Sequence, residues 1–241
     1  MHPKTSSPLQ PQTSLLLPFL LFLSLTSFAQ TKTLNLDNFT RIDISVLAEV
    51  DITYGRQFEV TLSADEKTLE SITAEVTDGE LRFARTEGDW WDWFFETHVD
   101  GVEIAIVMPD LQALDVSGAA SVQISGFSSP SLSIDVAGAS NVELNGNYDA
   151  LTCDLAGASE VELVGGGKTL VLDVAGAADI DAEHYIAESV TIDAAGAVDV
   201  EVHATRSLRA DVSGAGSVCY HGNPTTLATD VSGSADIDTC D

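Results

Sequence analysis

The sequence predicts an all-β fold: a single-stranded, right-handed parallel β-helix with an irregular, strand-rich N-terminal part. Three observations predict it. First, an Asp-x-x-Gly unit recurs seven times, beginning at Asp115, Asp135, Asp154, Asp173, Asp193, Asp211 and Asp230. Its glycines (Gly118, Gly138, Gly157, Gly176, Gly196, Gly214 and Gly233) follow one another at 18 to 20 residues, the mark of stacked repeats. Second, apolar residues alternate with polar ones on both sides of each glycine. One inward column reads Leu114, Ile134, Cys153, Leu172, Ile192, Ala210, Thr229, and the next reads Val116, Val136, Leu155, Val174, Ala194, Val212, Val231. Period two with β-branched residues argues for half-buried strands and against a helix. Third, the residues around each glycine are small, as in Ala156-Gly157-Ala158-Ser159, which suits a corner where the next coil lies close above. Stacked coils keep one residue type in one column, with coils about 4.8 Å apart. A β-sandwich or an up-and-down barrel is the alternative.

Residues 1–29 read as a secretory signal peptide. Lys4 is the one formal charge before an apolar stretch from Leu15 to Leu25, and Ser27-Phe28-Ala29 forms a small-x-small cleavage site. Pro18 and the short length argue against a membrane span. No second apolar stretch approaches that length. The expected destination is outside the cytoplasm: periplasm, outer cell surface or extracellular medium.

Residues 30–109 read as irregular first coils or a cap, continuous with the regular repeats of 110–241 in one domain. Phe39 to Ile44, Val50 to Tyr54, Phe58 to Leu62 and Glu80 to Phe83 alternate in period two. Gly55 and Asp78-Gly79 mark turns, and Asp65 to Ile72 reads as a short helix or an irregular turn. Val102 to Val107 is a further strand, ended by Pro109. A solenoid needs such a cap over its open end.

The charge is lopsided, with 38 acidic against 10 basic residues and a formal net charge of −28. Nucleic acid is excluded as a partner because it requires a basic footprint. Metal cations and basic surfaces fit the sign. Of three cysteines, Cys153 falls in an inward column and reads as a buried free thiol. Cys219 and Cys240 fall on outward positions of the last two coils, where export permits a disulfide that would staple the C-terminal end.

The run from Phe39 to Arg85, the strand-then-proline element Val102 to Leu111, and the repeated Asp-Val-Ser-Gly-Ala and Asp-Val-Ala-Gly-Ala units together resemble the head GIN domain family. Its members are autotransporter-adhesin-like exported bacterial proteins, common in Bacteroidetes. The resemblance covers nearly all of the mature chain, although the literal Gly-Ile-Asn tripeptide is absent. It implies a β-helix and an adhesion role, and it supplies no catalytic residues.

Three constellations are candidates for chemistry. The seven aspartates alternate out of phase with the apolar columns, so they form a solvent-facing ladder. Like charges at this spacing repel by roughly 1 kcal/mol in water. Hydrogen bonds from nearby Ser hydroxyls and backbone amides would relieve the repulsion, and so would bridging cations, Ca²⁺ above all. A second acidic column lies five residues after the glycine: Glu143, Glu162, Asp181, Glu201, Asp238. The aromatic run Trp90, Trp91, Trp93, Phe94 lies between two strands and suits sugar faces or a protein partner, or else folds over the helix end as a cap. Seven residues after the glycine stand Glu183, His203, His221 and Cys240. That column is either a zinc-type ligand set or scattered histidines beside a disulfide.

Gly167-Lys168-Thr169 only mimics the end of a phosphate-binding loop, since Glu162 stands where the first glycine belongs. No Gly-x-Ser-x-Gly elbow is present. The sequence therefore points to a non-enzymatic exported protein for surface adhesion or for binding an envelope glycan or protein. The alternatives are a carbohydrate-active enzyme (polysaccharide lyase or glycosidase) on the same scaffold, with Arg206 and Arg209 as the available bases, and a structural spacer.

Overall fold

Alternating burial runs through almost every segment of the computed structural model, which describes residues 30–86 and 101–240. The described residues are all-β apart from one short helix. The order is β1 (Gln30–Leu34), β2 (Arg41–Ser45), β3 (Ala48–Tyr54), β4 (Glu59–Ala64), α1 (Glu66–Ser71), β5 (Ile72–Thr77), β6 (Glu80–Arg85), β7 (Val102–Met108), β8 (Ala113–Gly118), β9 (Ala120–His221) and β10 (Thr226–Thr239). All of the strands join one mixed, unclosed sheet.

Local chemistry starts and stops the irregular elements. Asp65 caps α1, its Oδ1 accepting from the amides of Lys67 at 2.9 Å and Thr68 at 3.2 Å. Asp78 (φ 51°) and Gly79 (φ 77°) turn the chain between the antiparallel β5 and β6, as an Asp-Gly hairpin turn requires.

The 102 residues of β9 at about 3.3 Å each would make a rod over 300 Å long if straight, so β9 must fold back on itself. The glycines show how. A Cβ added to Gly157 (φ +127°) would overlap the carbonyl oxygen of Gly138, and one added to Gly176 would overlap that of Gly157. The same relation links Gly196 to Gly176 and Gly214 to Gly196. The repeat glycine is thus a place where the backbone of one repeat sits directly on that of the previous one. Parallel in-register pairing agrees: Asp115 faces Asp135, Gly118 faces Gly138, Asp211 faces Asp230 and Gly214 faces Gly233.

The expected inward columns form the core. Leu114, Ile134, Cys153, Leu172 and Ile192 are fully buried, and Val116, Val136, Leu155, Val174, Ala194 and Val212 nearly so. β10 is different. It pairs with β9, and its inward-column residues Leu227 and Val231 remain 49% and 42% exposed.

The N-terminal strands are not stacked in sequence order. β2 lies between β6 and β8, parallel to both, and β3 lies between β7 and the start of β9. The segment 41–54 therefore inserts between 80–108 and the regular repeats. Antiparallel partners cover the far side: β5 pairs with β6, and β4, backed by β1, pairs with β7. These antiparallel strands occupy the exposed edges that a parallel stack would otherwise present.

Candidate functional site

The aspartate ladder follows from pairing in register. Its side chains alternate with buried neighbours and so point outward, half-buried at Asp115, Asp135 and Asp211 and exposed at Asp154, Asp173, Asp193 and Asp230. The structure extends the ladder by one residue, because Asp43 on β2 faces Asp115. It then ends on a cation: Arg82 on β6 faces Asp43, with Nε 2.8 Å from Oδ2. Side-chain relief is uneven. Asp43 accepts from Ser45 at 2.8 Å and Asp135 from Ser133 at 3.3 Å. Asp154, Asp173, Asp193, Asp211 and Asp230 have no side-chain hydrogen bond to another described residue. Asp115 bears the consequence. Burial, then the charges of Asp135, Asp43 and Glu80, push its carboxyl above the usual range, against a smaller opposing effect from Arg41.

A second acidic face carries a groove. Asp51 and Thr53 on β3 pair with Gln123 and Ser125 at the start of β9, and Glu143, Asn145 and Glu162 of later repeats continue the same face. They line an open depression of about 280 Å³, with Ile124, Leu144 and Val164 completing its walls. Carboxylates, amides and hydroxyls in one groove hydrogen-bond polyhydroxylated or cationic ligands. Among the described residues the lining holds no lysine, arginine or histidine.

The outward columns near the C-terminus converge on His221. Its Nε2 lies 3.1 Å from Oε1 of Glu201 and 3.3 Å from Oε2 of Glu183. The other oxygen of Glu183 lies 3.2 Å from Nε2 of His184. The rings of His203 and His221 are 6.1 Å apart. Cys240 is linked to Cys219, with Cα atoms 5.2 Å apart, inside the range that disulfides span. Elsewhere on this side Arg206 pairs with Glu188 at 3.4 Å.

Cys153 is the free cysteine among the described residues, and burial followed by the charge of Asp135 pushes its thiol up to about 12. A thiol so protected is inert packing. Tyr185, raised to about 12 mainly by burial, donates its hydroxyl to the Tyr148 carbonyl at 3.0 Å. The aromatic residues Trp90, Trp91, Trp93 and Phe94 lie outside the described residues, in the stretch between β6 and β7.

Some of these residues escaped the sequence reading. Ile42-Asp43-Ile44-Ser45 echoes Leu114-Asp115-Val116-Ser117, and that echo was the available signal for Asp43. Nothing local marks Arg82 as its neighbour, or Asp51 and Thr53 as groove residues.

Residues 38–224 match the family described as "Putative auto-transporter adhesin, head GIN domain". The chain belongs to this head GIN domain family. Solved structures share its fold. A putative adhesin from Bacteroides fragilis superposes with a TM-score of 0.74 at 23% identity, covering 88% of this chain and 97% of that one. A putative lipid binding protein from Parabacteroides distasonis gives 0.70 at 21%, covering 90% and 98%. A putative adhesin from Parabacteroides merdae gives 0.63 at 16%, again covering 90% and 98%. At these identities the likeness is one of fold. No curated protein matches the chain. No helix of the described part of this head GIN domain is long and apolar enough to cross a membrane.

Proposed function

We propose that this head GIN domain protein is an exported, non-enzymatic binder of an envelope or cell-surface ligand, built as a right-handed parallel β-helix. In-register parallel pairing and the glycine-on-glycine contacts support the β-helix, and the usual hand of parallel crossovers supports the right-handed winding. Adhesin-like family membership and the signal-peptide pattern support export and adhesion.

The groove is the observation that carries the binding role. Seven hydrogen-bonding side chains, from Asp51 to Glu162, lie along one face on rigid strands. Their ligand is a glycan or a basic segment of a surface protein. The Trp90–Phe95 stretch is proposed as a second contact region, since flat rings stack on sugar faces.

A glycan array read together with a reducing-end and unsaturated-product assay tests the proposal. Binding without cleavage is expected, lost in a Glu143→Gln, Glu162→Gln double variant and weakened in Trp90→Ala, Trp91→Ala. A new reducing end or an unsaturated product makes the protein an enzyme. Binding untouched by the groove variants moves the site elsewhere.

A further inference from the structure

We propose that the free edge of β10 is a docking site for an extended, basic segment of a partner protein, which adds to the sheet as one more strand. This surface is separate from the groove and does not rest on the function given to the groove.

The open edge is the first ground. β10 runs for 14 residues and pairs in parallel with β9, from Thr226 on Ser207 to Thr239 on Tyr220. No described strand pairs with its other edge. Amides and carbonyls on that side form a template for a further strand. Long edges are usually guarded by lysine, proline or brevity. β10 contains neither lysine nor proline. The other ends of the sheet are β1 and β5, of only 5 and 6 residues.

An apolar column that opens at this strand is the second. Leu208 and Val212 of β9 are each 1% exposed, whereas Leu227 and Val231, paired directly with them, are 49% and 42% exposed. The core column thus continues onto β10 and loses its cover there. A strand on the free edge would set its own apolar residues beside Leu227 and Val231, as cross-strand neighbours do.

The edge is also held in place at both ends. The Thr225 amide donates to the Arg206 carbonyl at 2.9 Å, and the Cys240 amide donates to the Tyr220 carbonyl at 3.1 Å. The Cys219–Cys240 disulfide fastens the second of these ends. An incoming strand therefore meets an ordered edge, which lowers the cost of binding.

Charge selects the occupant. Asp230, Asp236 and Asp238 are exposed on β10, and the strand carries no basic residue. A second copy would bring the same three aspartates to the edge, on a chain of formal net charge −28, and like charges on neighbouring strands repel. A strand with lysine or arginine on one face and apolar residues on the other answers both the aspartates and the open column. Main-chain hydrogen bonds would supply its affinity and alternate side chains its selectivity, as in strand addition generally.

The test uses the mature protein with its disulfide intact and a fluorescent peptide of about ten residues alternating valine and lysine, long enough to span most of β10. Anisotropy should show saturable binding of one peptide per chain, and a valine–glutamate peptide should not bind. Methylating the amides of the valines, or those of the lysines, blocks one edge of the peptide or the other. One version should lose roughly tenfold or more in affinity while the other retains it, since each lost hydrogen bond is worth a few-fold. These readings use the wild-type protein and need no variant. Asp236→Asn with Asp238→Asn should weaken binding several-fold at low salt and little at high salt. Bound peptide should slow amide exchange across 226–239. Absence of saturable binding, equal behaviour of the two methylated peptides, or protection falling outside 226–239 overturns the proposal. So does sedimentation of the free protein as a dimer with 226–239 already protected, which would make a second copy the occupant.

Discussion

Arg82 terminates the aspartate ladder on Asp43, its Nε 2.8 Å from Oδ2, although the two residues lie in different strands of the irregular N-terminal part. Arg82 also holds Glu80 at 3.0 Å, so a single guanidinium faces two carboxylates at the end of a column of like charges. The pair is partly exposed, at 61% for Arg82 and 18% for Asp43, which limits its worth. Replacing Arg82 by Ala should cost about 0.5–1 kcal/mol, and Arg82→Glu should cost more. Thermal melts at low salt should show both losses, and added salt should shrink them because it screens exposed charge. Equal melting temperatures at low salt would remove Arg82 from any role in relieving the ladder.

Asp115 sits second in the ladder and has its carboxyl pushed up, by burial first and by Asp135 and Asp43 next. A raised folded-state value means that the protonated form is favoured in the fold. This contribution to stability is fully present below the unfolded value near 3.8 and is lost as pH rises through the raised value. Asp115→Asn should therefore raise the melting temperature at pH 7 by about 1–2 °C, a figure discounted for solvent screening, and give no gain below pH 3.8. A pH series of melts on the two proteins checks it.

Five ladder aspartates without side-chain hydrogen bonds among the described residues leave their repulsion to solvent and ions. Millimolar Ca²⁺ should raise the melting temperature of desalted protein beyond what NaCl of equal ionic strength does. Asp154→Asn with Asp173→Asn should reduce that excess. If Ca²⁺ and NaCl act alike, the ladder is screened diffusely and bridges no cation.

Gly157 is the clearest single point of failure in the stack. Its φ of +127° disfavours any L side chain, and a Cβ there would overlap the Gly138 carbonyl oxygen. Gly157→Ala should destabilise by more than about 3 kcal/mol, combining backbone strain with steric overlap. Ala158→Ser, beside it on the exposed side, should be nearly silent. Denaturant titration of both distinguishes a close backbone contact from general intolerance at the corner.

The Cys219–Cys240 link closes a 21-residue separation over the most exposed coil. By loop-closure entropy such a bridge is worth up to about 3 kcal/mol. Much less should appear in global stability, because opening is confined to β10. Cys219→Ser with Cys240→Ser should speed amide exchange across 226–239 while leaving the Leu114–Val174 core protected. Peptide mapping of non-reduced protein checks the link itself.

Sequence alone determined the repeat, its phase and its core. Pairing of each repeat in register with the next turns a spatial neighbour into a neighbour at a fixed sequence offset, so columns such as Leu114, Ile134, Cys153 and Leu172 can be read directly. The small residues at the corner are equally legible, because backbone contact at Gly138, Gly157 and Gly176 leaves no room for larger ones. Packing in three dimensions set whatever depends on strands that pair out of order. Insertion of β2 and β3 between β6–β7 and the first regular coil set Arg82 on Asp43 and put Asp51 and Thr53 beside Gln123 and Ser125. Several alternating strands of similar length fit such an edge equally well by pattern, and the choice rests on packing against distant partners. The approach of His221 to Glu183 and Glu201 is likewise a matter of side-chain reach across coils, which periodicity does not encode.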